Sequence, residues 1–322
     1  MDLGQVSYYT YRLGGALAPR IPPRLGYRLA SQVGDVLFRL SPQRATVAEN
    51  VAHVTGLPPS SGPVQRIARQ VFRNQAKNYF DLFRVSALSP EGIQATIHEV
   101  HGLEHIDRAL ARGRGVVLAT AHFGNVDLAG QMLALRGYRV TALAEHLKPE
   151  RLFQYVRAQR ESHGLSFLPI DGSLRPVFRA LRANELVGLA IDRNVTDEGR
   201  LVDFLGCPAR LPDGYLKLAL HTGAALILCF SRRLPDNTFV ITVEPEITLE
   251  RTGNAEHDIE QSMPRALSVF ATYLRRYPDQ WVYFQPVWVA PSRSSALTAS
   301  VATAHAAQGA PPMEDSSQER AR

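Results

Sequence analysis

From about residue 97 onward the chain alternates short apolar, β-branched runs with stretches of helical periodicity, and this limits the folds open to it more than any other feature. The runs are VVLATAHF, YRVTALAE, LSFLPID, LVGLAID, AALILCFS and TFVITVEPEI. Helical patterns fall between or after them, near residues 125–136, 150–163, 174–184, 214–222 and 257–277. Strands that are apolar throughout are buried on both faces, and strands alternating with helices tend to pair in parallel through crossovers. The pattern predicts an α/β fold: a mixed, largely parallel sheet flanked by helices. With 322 residues, 45% of them hydrophobic, the chain can bury a full core for such a domain.

The N-terminal third reads differently. PVQRIARQVFRNQAKNYFDLFRV carries Val64, Ile67, Val71, Phe72, Tyr79, Phe80 and Phe83 at helical spacing. Before it, LGYRLASQVGDVLFRL places Leu25, Leu29, Val33, Val36, Leu37 and Leu40 along a stripe, with Arg28, Gln32, Asp35 and Arg39 elsewhere on the wheel. Such a helix can lie in a membrane interface, and it can equally pack its apolar face on the domain. Residues 1–44 hold six arginines against Asp2 and Asp35, most of the net charge of +6. By sign alone this excess suits nucleic acid, an anionic membrane or acidic substrates; placed beside an amphipathic helix it makes an anionic membrane surface the expected partner, and no nucleic-acid partner is expected. No run of roughly 18 strongly apolar residues exists, so a spanning helix is not expected. The stretch 294–313 lacks charge but consists mainly of Ala, Ser, Thr and Pro, the composition of a disordered tail. The expected organisation is a helical extension over 1–95, a catalytic domain over 96–292 and a tail over 293–322.

Chemistry concentrates in VVLATAHFGNVDLAG, where His122 ends a buried strand and Asp127 follows five residues later. Ligands in open α/β sheets sit at the carboxyl ends of strands, where helix N-termini present free N–H groups. Gly124 permits close backbone approach, and Asn125 is a good helix cap. Asp127 then falls in the first helical turn, where the dipole favours its ionised form. A carboxylate beside an imidazole fixes its tautomer and stabilises the imidazolium, so the pair is suited to accepting a proton. The nucleophile elbow G-x-S-x-G is absent, and Cys207 and Cys229 form neither a CxxC pair nor a Cys-His pair in sequence. The attacking hydroxyl can then belong to the substrate, with direct acyl transfer and no covalent enzyme intermediate. Taken alone, H-x-x-x-x-D also occurs by chance in histidines that cap or fill a pocket. His98, His101 and His105 in HEVHGLEH read as a strand-to-helix junction rather than a metal site, and no H-E-x-x-H or dinucleotide-binding loop is present. No metal or cofactor is expected.

With its flanks the motif resembles the signature of the lipid A biosynthesis acyltransferase family, which includes lauroyl and myristoyl transferases and phosphatidylinositol mannoside acyltransferases. The resemblance runs through AHFGNVDLAG, YVRAQRESHGLSFLPI, LVGLAIDRNVTDEGRLVDFLGCPARLPDGYLKLALHTGAALI and YPDQWVYFQPVW, in the family's order over most of residues 100–290. It implies a membrane-associated glycerolipid-acyltransferase-like fold with His122 as general base and Asp127 as its orienting partner. The implied donor is a thioester of acyl carrier protein or coenzyme A, used as co-substrate. The implied acceptor is a hydroxyl of a membrane glycolipid, lipid A-like or a glycosylated phospholipid, at the cytoplasmic face of the plasma membrane. Arg160 matches a family arginine suited to a phosphate or a developing oxyanion, against the alternative of a solvated helix arginine. Arg193 in AIDRNV and Arg210 in PARLPDG are candidates for anionic headgroup or pantetheine-phosphate contacts, against ordinary salt bridges, and Gly124 and Asn125 join them as substrate-binding candidates. Many relatives read Asp-Phe-Phe-Gly where this chain has Leu205, and some carry a glutamate just upstream; no third catalytic acid is assigned here. The alternatives are a lysophospholipid or glycerolipid acyltransferase using the same dyad, or a catalytically silent lipid-binding membrane protein.

Overall fold

A computed structural model describes residues 3–194 and 199–289; the tail expected over 293–322 lies outside the described residues. In chain order, four helices come first: α1 (Leu3–Leu17), α2 (Pro23–Leu40), α3 (Arg44–Thr55) and α4 (Gly62–Arg84). The alternating region follows with α5 (Pro90–Gln94), β1 (Ile97–His101), α6 (Leu103–Leu110), β2 (Val116–Thr120), α7 (Val126–Leu135), β3 (Val140–Ala144) and α8 (Glu150–Arg160). It continues through β4 (Ser166–Pro169), α9 (Arg175–Arg182), β5 (Leu186–Ala190), β6 (Arg200–Phe204), β7 (Cys207–Leu211) and α10 (Gly214–Thr222). β8 (Ala225–Arg233), β9 (Phe239–Glu246) and α11 (Ala255–Arg276) complete it.

Seven strands form one sheet in the order β1-β9-β8-β2-β5-β3-β4, and every adjacent pair is parallel except β8–β9. Strand β2 lies between β8 and β5, buried on both faces, which is why VVLAT carries no polar residue before Thr120. Its Val117 and Ala119 face one core with Leu216 of α10 and Phe270 of α11. Val116 and Leu118 face the opposite core with Met132 and Leu133 of α7. The sheet and helices expected from periodicity are present. The hairpin β6–β7, which stands apart from the main sheet, is not among them. Its turn places Leu205 and Gly206 at φ of 59° and 81°, and a leucine in a left-handed conformation gives no sequence signal of the Asn-Gly type.

Helix α2 packs on α4 through small and aromatic residues. A Cβ on Gly26 would meet the Phe80 ring at 2.0 Å, and one on Gly34 would meet the Arg73 backbone at 2.6 Å. Beside this contact Asp35 accepts from Arg69 and Arg73, each at 2.6 Å, and these hydrogen bonds hold its carboxyl well below the usual range. The leucine and valine stripe is therefore not the packed face. Leu25, Leu29, Val33, Val36, Leu37 and Leu40 are exposed, and Val6, Tyr9, Leu13 and Leu17 of α1 add to the exposed apolar surface. No helix among the described residues is long and apolar enough to cross a membrane.

Candidate active site

His122 lies two residues beyond the end of β2. The parallel register pairs Thr120 with Ala190, so continuing both chains by two residues brings Asp192 level with His122. The imidazole Nδ1 stands 2.9 Å from Asp192 Oδ1, while Oδ2 accepts from the His122 backbone N–H at 2.8 Å and from Trp281 Nε1–H at 2.9 Å. The carboxylate is fully buried, whereas 37% of the His122 side chain is exposed. Burial alone would disfavour both charges; the opposite charge and hydrogen bonds outweigh it, raising the histidine above its ordinary value and lowering the aspartate. The result is an imidazole with its tautomer and orientation fixed through Nδ1, leaving Nε2 for a substrate.

The loop after His122 is shaped by Gly124, whose φ is +62° and whose hypothetical Cβ would fall 1.6 Å from the Ser231 carbonyl oxygen. No other residue fits there without moving the strand. Asn125 caps α7, its Oδ1 accepting from Leu128 N–H at 3.1 Å, while its Nδ2 donates to Asp81 at 3.1 Å. Asp81 also receives Tyr27 Oη–H and Arg233 Nη2, both at 2.6 Å. Asn78 of α4 accepts from the same arginine nitrogen and donates to the Gly124 carbonyl at 2.6 Å. A buried polar network thus ties α2, α4 and β8 to the histidine loop. Sequence reasoning missed it because its members lie far apart in the chain and each alone looks like an ordinary helix or strand residue.

The sequence pairs His122 with Asp127; the structure puts Asp192 at the ring nitrogen instead. Asp127, in the first turn of α7, bonds Arg160 Nε at 3.1 Å, and the Arg160 guanidinium lies 5.2 Å from the Phe167 ring centroid. The physical reason is the sheet: a strand neighbour seventy positions away is held at the His122 ring nitrogen, while Asp127 is carried onto the next helix and pairs with Arg160. His122, Gly124, Asn125, Asp127, Arg160 and Arg193 nevertheless line one cavity. Arg193 is paired with Glu145. Arg210 is on β7, where its Nη1 donates to the Gly199 carbonyl at 2.9 Å, and it lines neither cavity described here.

The cavity holds about 360 Å³, within the range of small-molecule sites. Its walls away from the histidine are apolar, with Leu118, Leu133, Val140, Leu165 and Phe167 among them, and Tyr11 of α1 and Tyr79 of α4 complete it. A second cavity of about 820 Å³ lies between α9 and α10 and shares Leu143, Ile170 and Arg193 with the first. Cys229 also lines the first cavity, but burial pushes its thiol up to about 12, which makes it a poor nucleophile. Among the described residues no group of three or more His, Cys, Asp or Glu could hold a metal ion.

The family of bacterial lipid A biosynthesis acyltransferases matches residues 5–289. The chain belongs to this family. It is accordingly an acyltransferase of lipid biosynthesis. A phosphatidylinositol mannoside acyltransferase of Mycobacterium tuberculosis (strain H37Rv) is 34% identical, over 86% of this chain and 87% of its own. A phosphatidylinositol mannoside acyltransferase of Mycolicibacterium smegmatis is 32% identical, over 89% and 93%. A lipid A biosynthesis acyltransferase of Haemophilus influenzae is 22% identical, over 68% and 67%. The match to the family spans the helical N-terminus as well as the sheet, in keeping with a cavity walled by both.

Proposed function

We propose that this acyltransferase moves a fatty acyl group from a thioester of acyl carrier protein or coenzyme A to a hydroxyl of a glycosylated phospholipid, with His122 as general base. The observation that carries the reading is the Asp192–His122 pair at an apolar cavity, with Nδ1 engaged and Nε2 free to take a proton from an alcohol. Asp192, rather than Asp127, orients the imidazole and stabilises the imidazolium. The acceptor oxygen attacks the thioester carbonyl, and the imidazolium returns its proton to the departing thiolate. The acyl chain occupies the apolar part of the cavity. Arg160, held by Asp127, and Arg193, at the wall between the two cavities, bind anionic or polar groups of the substrates. A mannosylated phosphatidylinositol is favoured over lipid A as acceptor, because the relatives named for it are more similar and are matched over more of their length.

The exposed apolar stripes of α1 and α2, with their arginines, rest in this reading on the anionic cytoplasmic face of the membrane, as interfacial helices do. Helix α1 carries the exposed stripe on one face and, through Tyr11 on another, part of the cavity wall, so in this reading a lipid acceptor need not leave the interface completely. The test is incubation of purified protein with acyl-carrier-protein and coenzyme A thioesters and a panel of phosphatidylinositol mannosides, lipid A precursors and lysophospholipids, with products resolved by mass. An acylated mannoside is expected. Exclusive acylation of lysophospholipid would replace the acceptor while retaining the base, and release of free fatty acid alone would mean that water takes the acceptor's place.

A further inference from the structure

Ser231, in β8, is 1% exposed, lines the same cavity as His122, and its Oγ has no hydrogen-bond partner among the described residues. Its direction follows from the strand. Leu226, Leu228 and Phe230 belong to the core on one face of β8, and Ala225, Ile227 and Cys229 to the core on the other, so Ser231 points to the side of Cys229. The β2–β8 ladder runs to Ala119 and Leu228, and the loop that carries His122 stays against β8 beyond it: a Cβ on Gly124 would fall 1.6 Å from the Ser231 carbonyl oxygen. Asp192 stands 2.9 Å from the His122 ring nitrogen, and Ser231 lines the same cavity as that ring. Helix α7 starts on the adjoining loop, and its positive end is presented to the same cavity.

A buried hydroxyl without a partner is unfavourable to the fold, and nothing among the described residues satisfies this one. We propose that Ser231 is a catalytic residue whose Oγ–H donates to the carbonyl oxygen of the acyl group as it becomes an oxyanion. This rests on the direct-transfer reading above. His122 Nε2 takes the acceptor's proton, and the acceptor oxygen bonds to the carbonyl carbon. The carbonyl π pair moves to the oxygen facing Ser231. On collapse the carbon–sulfur bond breaks, and the thiolate takes the proton from the imidazolium. Ser231 keeps its own proton throughout and forms no bond to carbon.

The experiment compares Ser231→Ala, Ser231→Cys and His122→Ala in steady-state transfer from an acyl-coenzyme A thioester to a phosphatidylinositol mannoside, with thermal melts of each. Loss of one oxyanion donor lowers kcat by about 10²–10³, so Ser231→Ala is expected in that range with little change in the KM for the thioester. Its melting temperature should hold or rise, because no internal hydrogen bond is lost. Ser231→Cys should fall between the two, a thiol being a weak donor. A Ser231→Ala or Ser231→Cys enzyme with near-normal kcat overturns the assignment. So does a loss of activity matched by a lowered melting temperature, which would mark a packing role, or an acyl group found on Ser231 by mass spectrometry, which would make it a nucleophile. If His122→Ala remains active, the direct-transfer reading fails; if only Ser231→Ala does, that reading stands and the oxyanion assignment alone falls.

Discussion

Exchanging Asp192 for asparagine tests which carboxylate serves His122. The native carboxylate faces three donors: His122 Nδ1–H, the His122 backbone N–H and Trp281 Nε1–H. An asparagine has one carbonyl oxygen and one NH2 group to offer. Placing the oxygen where Oδ2 stands keeps two donors satisfied and turns the NH2 toward Nδ1. That nitrogen must then be unprotonated, and Nε2 carries the hydrogen, so the face toward the substrate can no longer accept a proton. In a Ser-His-Asp enzyme the same exchange lowers kcat by about 10⁴ through the wrong tautomer. A loss of 10²–10⁴ is expected for Asp192→Asn, read as thiol release during transfer. Asp127→Asn weakens only the partly exposed pair with Arg160, and should raise the substrate KM while leaving kcat within roughly tenfold. If Asp127→Asn is silenced and Asp192→Asn retains near-normal turnover, the orienting role belongs to Asp127 and the reasoning from the sheet is wrong.

Stability should respond to pH through the same pair. His122 is raised above 6.5 and Asp192 lowered below 3.8, so the histidine's contribution is present below 6.5 and lost as pH rises through its folded value. The aspartate's is present above 3.8 and lost as pH falls through its own. The melting-temperature gap between wild type and Asp192→Asn should thus be widest between about pH 4 and 6.5, and a gap independent of pH would show that the pair is not charged. Gly124→Ala should abolish transfer and lower the melting temperature, given the 1.6 Å approach to the Ser231 carbonyl; an active, equally stable variant would refute the need for close approach. Leu29→Glu with Val36→Glu, both exposed, should leave the melt unchanged and weaken sedimentation with anionic vesicles. Undiminished vesicle binding would move the membrane surface elsewhere.

What the sequence allowed one to read follows from which interactions are local. Strand and helix runs are local patterns of burial, and β2, β5 and β8 lie where VVLAT, LVGLA and ALILCFS predict. His122 was legible because a polar residue ends an apolar strand, and Gly124 and Asn125 because a turn and a helix cap are local events. The amphipathic stripe of α2 was visible too, but its direction was not. Gly26, Tyr27, Ala30 and Gly34 form the packed face, and only the partner helix α4, with Phe80 and the Arg73 backbone against those glycines, shows that small residues rather than leucines make the contact.

The orienting carboxylate shows the limit most clearly. A motif six residues long suggests that its own acid serves its own base, and Asp127 is near enough in sequence to invite that pairing. Parallel strands impose another rule: residues at equivalent heights on adjacent strands are neighbours, however much chain separates them. The strand order β2-β5 puts Asp192, just past the end of β5, beside His122, just past the end of β2, whereas Asp127 has already left the sheet for α7 and meets Arg160 from α8. The motif thus supplies two charges to one cavity in two settings. One pair is anchored by a fully buried carboxylate and the other is partly exposed; in the function proposed above, the first moves a proton and the second exchanges its ion pair for a substrate's phosphate or carbonyl oxygen. A double exchange separates them. If Asp192→Asn and Asp127→Asn multiply in their effects on kcat/KM, the two carboxylates act independently, as this division requires; if the double variant is no worse than Asp192→Asn alone, they form one unit and the division is wrong.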